Sequence, residues 1–231
     1  MHTVTISAIQ QASPSVKIFR LDDARGAFRY LAGQWIDLYV NIDGKVEVGG
    51  YSMTSTPTNQ GYLELAIKSS TRHPVTRWLH EHAQVGDSVT ISDGQGTFFY
   101  QPNMSPRVVL VGAGVGVTPL ISIFRYIAAS VPQTDATLIY SIPSPDEFLF
   151  QTDIEKASQL PNIHHIVTLT QADDNWQGRT GRITADLFLS AGMSDDTLYY
   201  LCGPQGMVED ISAVLTSIAV PAERIIYEKW W

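Results

Sequence analysis

The stretch Arg107-Val108-Val109-Leu110-Val111-Gly112-Ala113-Gly114-Val115-Gly116-Val117-Thr118-Pro119 joins an apolar run to a glycine-rich turn and then to the helical pattern Leu120-Ile121-Ser122-Ile123-Phe124. About ninety residues later the arrangement recurs: Leu198-Tyr199-Tyr200-Leu201 leads into Cys202-Gly203-Pro204-Gln205-Gly206-Met207 and then Val208-Glu209-Asp210-Ile211. Each apolar run reads as a buried strand and each turn as the entry to a helix. Such a turn aims unpaired N–H groups beyond the strand's carboxyl end, where the helix dipole and the donors both favour an anion and glycine lets backbone approach closely. Pro119 suits a first helical turn, where a missing N–H costs nothing. The spacing is not the dinucleotide fingerprint, which wants glycine at Val117, so either turn alone also reads as a simple chain reversal. Two of them in one half of a chain point to a bound pyrophosphate.

Outward from these turns, the second half alternates strand and helix: strands 107–111, 136–141, 163–169 and 197–201, with helices 119–130, 146–158, 183–190 and 205–218. That pattern predicts a parallel sheet with crossover helices. The first hundred residues differ. Short runs such as Thr3-Val4-Thr5-Ile6, Val16-Lys17-Ile18-Phe19, Ile36-Asp37-Leu38-Tyr39-Val40, Leu63-Glu64-Leu65-Ala66-Ile67 and Ser88-Val89-Thr90-Ile91 are separated by Gly, Asp and Asn turns, with one helix near 74–83. This is the pattern of an antiparallel β-barrel. Neither pattern continues through Pro102-Asn103-Met104-Ser105-Pro106, which divides the chain into 1–103 and 104–231.

Composition narrows the classes. The chain has 231 residues, 44% hydrophobic and 16% charged, as in ordinary globular proteins. Its net charge of −8 falls mostly on the second half, where 7 basic residues face 14 acidic ones, against 8 and 9 through Met104. No basic patch suggests nucleic acid, and an acidic surface does not attract acidic partners. No apolar run approaches a membrane span and the first residues carry no leader pattern, so a cytoplasmic protein is expected. The single cysteine, Cys202, excludes an internal disulfide and a four-cysteine iron–sulfur cluster held by this chain.

A barrel followed by a nucleotide-binding domain with G-x-G-x-G-x-T-P and C-G-P resembles the ferredoxin–NADP reductase superfamily over nearly the whole chain. The Gly-Gly before the aromatic-Ser motif, Gly49-Gly50-Tyr51-Ser52, is similar to the branch of oxidoreductase NAD-binding domain-containing proteins. The resemblance implies FAD in the barrel, NAD(P)H on the second domain and hydride transfer from nicotinamide C4 to flavin N5. It implies that Tyr51 lies against the isoalloxazine and that Ser52 bonds near N5. Gly49 replaces the family's arginine, a strong bidentate partner for the flavin pyrophosphate, and Arg72 or Arg77 is the candidate substitute. In His73-Pro74-Val75-Thr76-Arg77, Thr76 fits the family's hydroxyl and Val75 offers backbone N–H to a phosphate, while His73 departs from the usual glycine.

By the same resemblance Gly112, Gly114, Gly116, Thr118, Gly203 and Pro204 contact the dinucleotide and Cys202 lies near nicotinamide C4. Glu228 bonds near Cys202 or relays a proton, and Trp231 or Trp230 covers the flavin ring. Gly94-Gln95-Gly96-Thr97-Phe98 resembles the strand that closes the barrel. Nothing beside Cys202 marks it as a nucleophile. No metal is expected: His80 and His82 sit on different helix faces, and His164 and His165 on opposite strand faces. Ile142-Pro143-Ser144-Pro145-Asp146-Glu147, after the second strand of the nucleotide domain, holds acids and no base, which favours NADH over NADPH; Arg179 and Arg182 stay unplaced. Two functions follow: a flavin-dependent NAD(P)H oxidoreductase with an unidentified electron acceptor, or a nucleotide-binding regulatory subunit that has lost productive flavin binding.

Overall fold

The computed structural model describes residues 1–172, 175–190 and 194–230, with Ser190, Lys229 and Trp230 by backbone only. The first sheet contains β1 (His2–Ser13), β2 (Val16–Asp22), β3 (Trp35–Ile42), β4 (Lys45–Ser52), β5 (Tyr62–Lys68) and β6 (Ser88–Ile91), with α1 (Pro74–Glu81) before β6. Its order is β4-β3-β6-β1-β2-β5, antiparallel throughout. The sheet curls until its two edges meet at a bridge between Met53 and Leu65, closing the barrel around Ile6, Phe19, Leu38, Leu65 and Ile91. Alternation of buried and exposed residues fixes the register, since a one-residue slip would turn this set outward.

The second sheet is parallel: β7 (Arg107–Ala113), β8 (Asp135–Ile142), β9 (Ile163–Leu169), β10 (Arg179–Thr180), β11 (Leu198–Pro204) and β12 (Ile225–Trp230), in the order β10-β9-β8-β7-β11-β12. The helices are α2 (Val117–Ser130), α3 (Gln151–Ala157), α4 (Ala185–Ser190) and α5 (Gln205–Ser217). The chain runs outward from β7 through β8 and β9 on one side and through β11 and β12 on the other. The switch point therefore lies between β7 and β11, where open α/β sheets take ligands. No described helix is long and apolar enough to cross a membrane.

The expected helix over 146–158 is shorter. Pro145–Glu147 form a 3-10 turn, Phe150 is left-handed at φ 59°, and α3 begins at Gln151. Phe148 packs edge-on to Tyr140 at 5.9 Å and the Arg125 guanidinium lies 4.8 Å from the Phe150 ring, contacts that hold both aromatics in a bent connection. β10, only two residues long, is too short for any periodicity to announce.

The two sheets share a core. Ala32, Ala66, Phe98 and Tyr100 from the first half pack in one cluster with Ile123, Phe124 and Tyr200 from the second. Polar ties surround it: Tyr200 Oη donates to Phe99 O (2.8 Å), Ser122 Oγ to Ser55 O (2.6 Å), and Arg125 to Thr54 O (2.7 Å) and Glu64 (2.9 Å). Arg125 also pairs with Asp153.

Candidate functional site

The glycine turns meet at the switch point. After β7 the chain makes a 3-10 turn, Gly114–Gly116, with Gly114 at φ +51°. Tyr140 Oη donates to Gly114 O (3.0 Å) and Thr118 Oγ1 to Val115 O (3.0 Å), so two side chains fix the turn from inside. Thr118 is buried and spends its hydroxyl on the loop rather than toward the cleft. A Cβ on Gly116 would stand 2.5 Å from the Cys202 carbonyl oxygen and 2.7 Å from Gly203 Cα. Backbone touches backbone there, which explains the third glycine. Neither α2 nor α5 has a side-chain cap, and the Val117 N–H at the start of α2 is bonded back to the Gly114–Gly116 turn.

The crevice is a trough in two connected parts. The inner part, about 480 Å³, is lined by Gly114, Val115, Gly116, Gly203, Pro204 and, from the barrel, Lys68. The outer part, about 360 Å³, shares Ala113, Ser141, Thr170 and Pro204 with it and adds Arg182, Ile183, Met207, Asp210 and Ile211. Neither Asp146 nor Glu147 lines it. Glu147 instead accepts from Ser13 (2.9 Å) and Ser15 (3.3 Å) across the domain interface, so the acids after β8 do not face the trough as the sequence reading assumed.

On the barrel side, Gly49 and Tyr51 share one face of β4. The Tyr51 ring folds over Gly49, where a Cβ would meet the phenol oxygen at 2.6 Å, and Oη bonds Thr76 Oγ1 at 2.9 Å. Burial pushes the Tyr51 phenol up to about 12, with the Thr76 bond opposing weakly. On the other face, Ser52 is 5% exposed and its Oγ has no hydrogen-bond partner among the described residues. An orphaned buried hydroxyl costs free energy, so this atom is built for a partner that brings its own polar group. A flavin ring nitrogen fits that requirement, while the Tyr51 ring lies on the opposite face of β4, over Gly49 and against Thr76. The next three residues, Met53-Thr54-Ser55, are tied to α2 by the Ser122 and Arg125 bonds. The segment that carries Ser52 is thus anchored to the helix that the first glycine turn opens.

The remaining expected residues separate. His73 is exposed at the start of α1 without a capping bond, and Val75 is fully buried, so only its backbone is available to a phosphate. Arg77 lines a different cleft, about 340 Å³, with Asn41, Asp43, Pro74, Trp78 and His82. Arg72 is exposed in the loop before α1. Cys202 is fully buried, and Glu228 stands opposite it in the β11–β12 register. Trp231 lies outside the described residues. His80 is structural, its ring 2.9 Å from Ile67 O. The sequence reading missed Lys68, whose signal was its place at the carboxyl end of β5.

Residues 3–100 match the family model of the oxidoreductase FAD-binding domain and residues 110–213 that of the oxidoreductase NAD-binding domain. The crevice therefore lies between halves that together define an FAD- and NAD-binding oxidoreductase. The fold is ferredoxin reductase-like: the chain superimposes on the flavohem-like FAD/NAD-binding domain of a nitric oxide dioxygenase from Vibrio cholerae (TM-score 0.86, 27% identity, 99% of this chain and 98% of that one). It likewise superimposes on a ferredoxin NADP+ reductase from Neisseria gonorrhoeae (TM-score 0.84, 21% identity, 99% and 98%). Oxidoreductase NAD-binding domain-containing protein 1 of Danio rerio is 35% identical over 253 residues, spanning 100% of this chain and 92% of its own length. The chain belongs to that family.

Proposed function

We propose that this protein is an FAD-dependent NAD(P)H reductase that passes electrons to a separate acceptor. The observation that carries the reading is the buried, partnerless Ser52 hydroxyl beside Tyr51, on a segment bonded to the nucleotide-binding half. FAD, when bound, supplies the N5 hydride acceptor and the capacity to release electrons one at a time.

The chain's own residues position and tune. Tyr51 presents an aromatic face, and Ser52 Oγ holds a hydrogen bond at N5, whose basicity changes on reduction. Val75 and Thr76 N–H groups at the start of α1 serve the flavin phosphates, with Arg72 or Arg77 the basic candidate and His73 at the helix start. Gly114, Gly116, Gly203 and Pro204 cradle the dinucleotide pyrophosphate, Gly112 lets α2 pack closely through Leu120, Thr118 acts by holding the turn, and Lys68 adds charge from the barrel. Cys202 and Glu228 flank the nicotinamide position, and their work is orientation. A chain whose one thiol sits in this site belongs in a reducing cytoplasm.

The expectation of NADH rested on the acids and the lack of a base after β8; of these acids Glu147 is bonded to Ser13 and Ser15. A second reading, a nucleotide-binding regulatory subunit, is favoured by one observation: the Tyr51 ring occupies the space above Gly49 and engages the Thr76 hydroxyl. Absorbance decides between them. Protein purified after flavin supplementation should absorb near ~450 nm and bleach anaerobically with a reduced nicotinamide nucleotide. Colourless protein that cannot be reconstituted with FAD would overturn the reductase reading in favour of the regulatory one.

A further inference from the structure

We propose that Arg182 reads the 2′-position of the adenosine ribose and makes this enzyme accept NADPH in preference to NADH. The inference rests on the crevice being the dinucleotide site.

The outer trough has the character of an adenosine seat. Ile183, Met207 and Ile211 give it apolar walls, and Ser141 and Thr170 bring hydroxyls from the ends of β8 and β9. Arg182 is the cation in its lining. Its position is fixed by the chain around it: Gly181 turns at φ +89°, its N–H donates to Leu169 O at 2.8 Å, and its carbonyl accepts from Thr168 Oγ1 at 2.8 Å. Trp176 Nε1 donates to Arg179 O (2.8 Å), closing the same loop. The turn therefore delivers Arg182 to the carboxyl edge of the sheet, beside Thr170.

Among the described residues the neighbouring charges leave the guanidinium available. Arg179 is paired with Asp186 at 3.3 Å, and Arg182 has no ion-pair partner among the described residues. Glu147 is engaged across the interface, and Asp210 on α5 is the carboxylate in the lining. A guanidinium with two hydroxyls matches a phosphate dianion; a bare 2′-hydroxyl would leave the guanidinium unused. A charge-assisted contact of this kind is worth about 10–100-fold in affinity after the opposing carboxylate is allowed for.

The test is direct binding, by calorimetry on flavin-replete protein, of 2′,5′-ADP and 5′-AMP, with NADP+ and NAD+ as the full-length pair. Wild type should bind 2′,5′-ADP at least ~10-fold more tightly than 5′-AMP, with a steeper salt dependence. Arg182→Gln should erase that difference while leaving 5′-AMP within about twofold, and Arg182→Lys should restore part of it. Equal or weaker binding of 2′,5′-ADP by wild type, or a preference that survives in Arg182→Gln, overturns the proposal while the crevice remains a nucleotide site. No binding of any of the four ligands overturns the nucleotide reading and this proposal with it. If Arg182→Gln melts below the assay temperature, Arg182→Met is read by the same criterion: loss of the 2′,5′-ADP preference supports the proposal and its survival overturns it.

Discussion

Gly116 and Cys202 are in backbone contact: the hydrogen on Gly116 Cα points at the Cys202 carbonyl, and a methyl there would sit 2.5 Å from that oxygen. The two turns that form the crevice are therefore fitted to each other as well as to a ligand. Gly116→Ala must push them apart, since neither contacting atom belongs to a flexible side chain. We expect a stability loss of about 1–3 kcal/mol and a fall in NAD(P)H affinity of at least tenfold. Gly114→Ala meets nothing within 4 Å and bears only its left-handed backbone, about 1 kcal/mol. Denaturant midpoints and nucleotide titrations of both variants check the contrast.

Ser52→Ala should separate stability from function. Because the hydroxyl is buried without a partner, its removal should leave the flavin-free protein as stable as wild type or slightly more so. The same change should slow anaerobic flavin reduction about tenfold, the worth of one hydrogen bond present in the reacting complex. Stopped-flow absorbance provides the rate; an unchanged rate removes Ser52 from the mechanism.

Alkaline pH should weaken the fold through its buried phenols. Burial raises the Tyr51 phenol to about 12 and moves Tyr30, Tyr140 and Tyr200 in the same direction. In the unfolded chain these groups lose their protons near pH ~10. Their contribution is thus fully present below that pH and is lost as pH rises toward the folded values, where the unfolded state binds fewer protons. Urea midpoints between pH 8 and 11 should fall, and fall less steeply in Tyr51→Phe, which should also lose about 1 kcal/mol at neutral pH with its Thr76 bond.

Arg125→Ala breaks the tie between the flavin motif and α2. It leaves Glu64 bonded to Thr54 Oγ1 and removes the donor to Thr54 O. We expect destabilisation of about 3 kcal/mol, as for other half-buried charge networks losing one member. A slowed hydride transfer at saturating nucleotide, measured below the shifted Tm, would show that the tie sets the spacing of the two cofactor sites.

The sequence made both halves legible because strand and helix periods and glycine turns are local signals. Ser52, Gly116 and Cys202 could be picked out for the same reason: each sits inside a compact motif. Lys68 could not, and Arg182 could be named but not placed, since what brings them to the trough is the packing of the barrel against the second sheet and a turn held by Thr168 and Leu169. Glu147 failed the opposite way: its charge was read from its neighbours in the chain, while its partners are Ser13 and Ser15, more than 130 residues away in sequence. Helix α3 began late because two aromatics found better contacts in a bent connection than in a helical turn.

The shared core sets limits on recombination. A crossover between residues 101 and 106 cuts no strand and looks like a natural seam for grafting a barrel onto another relative's nucleotide-binding half. It would nevertheless split the packing of Ala32, Phe98 and Tyr100 against Ile123, Phe124 and Tyr200, and would strand the Arg125 and Ser122 donors without their acceptors. Functional chimeras of this family will need to carry those barrel residues along with α2, so that the unit of exchange is the interface rather than either domain.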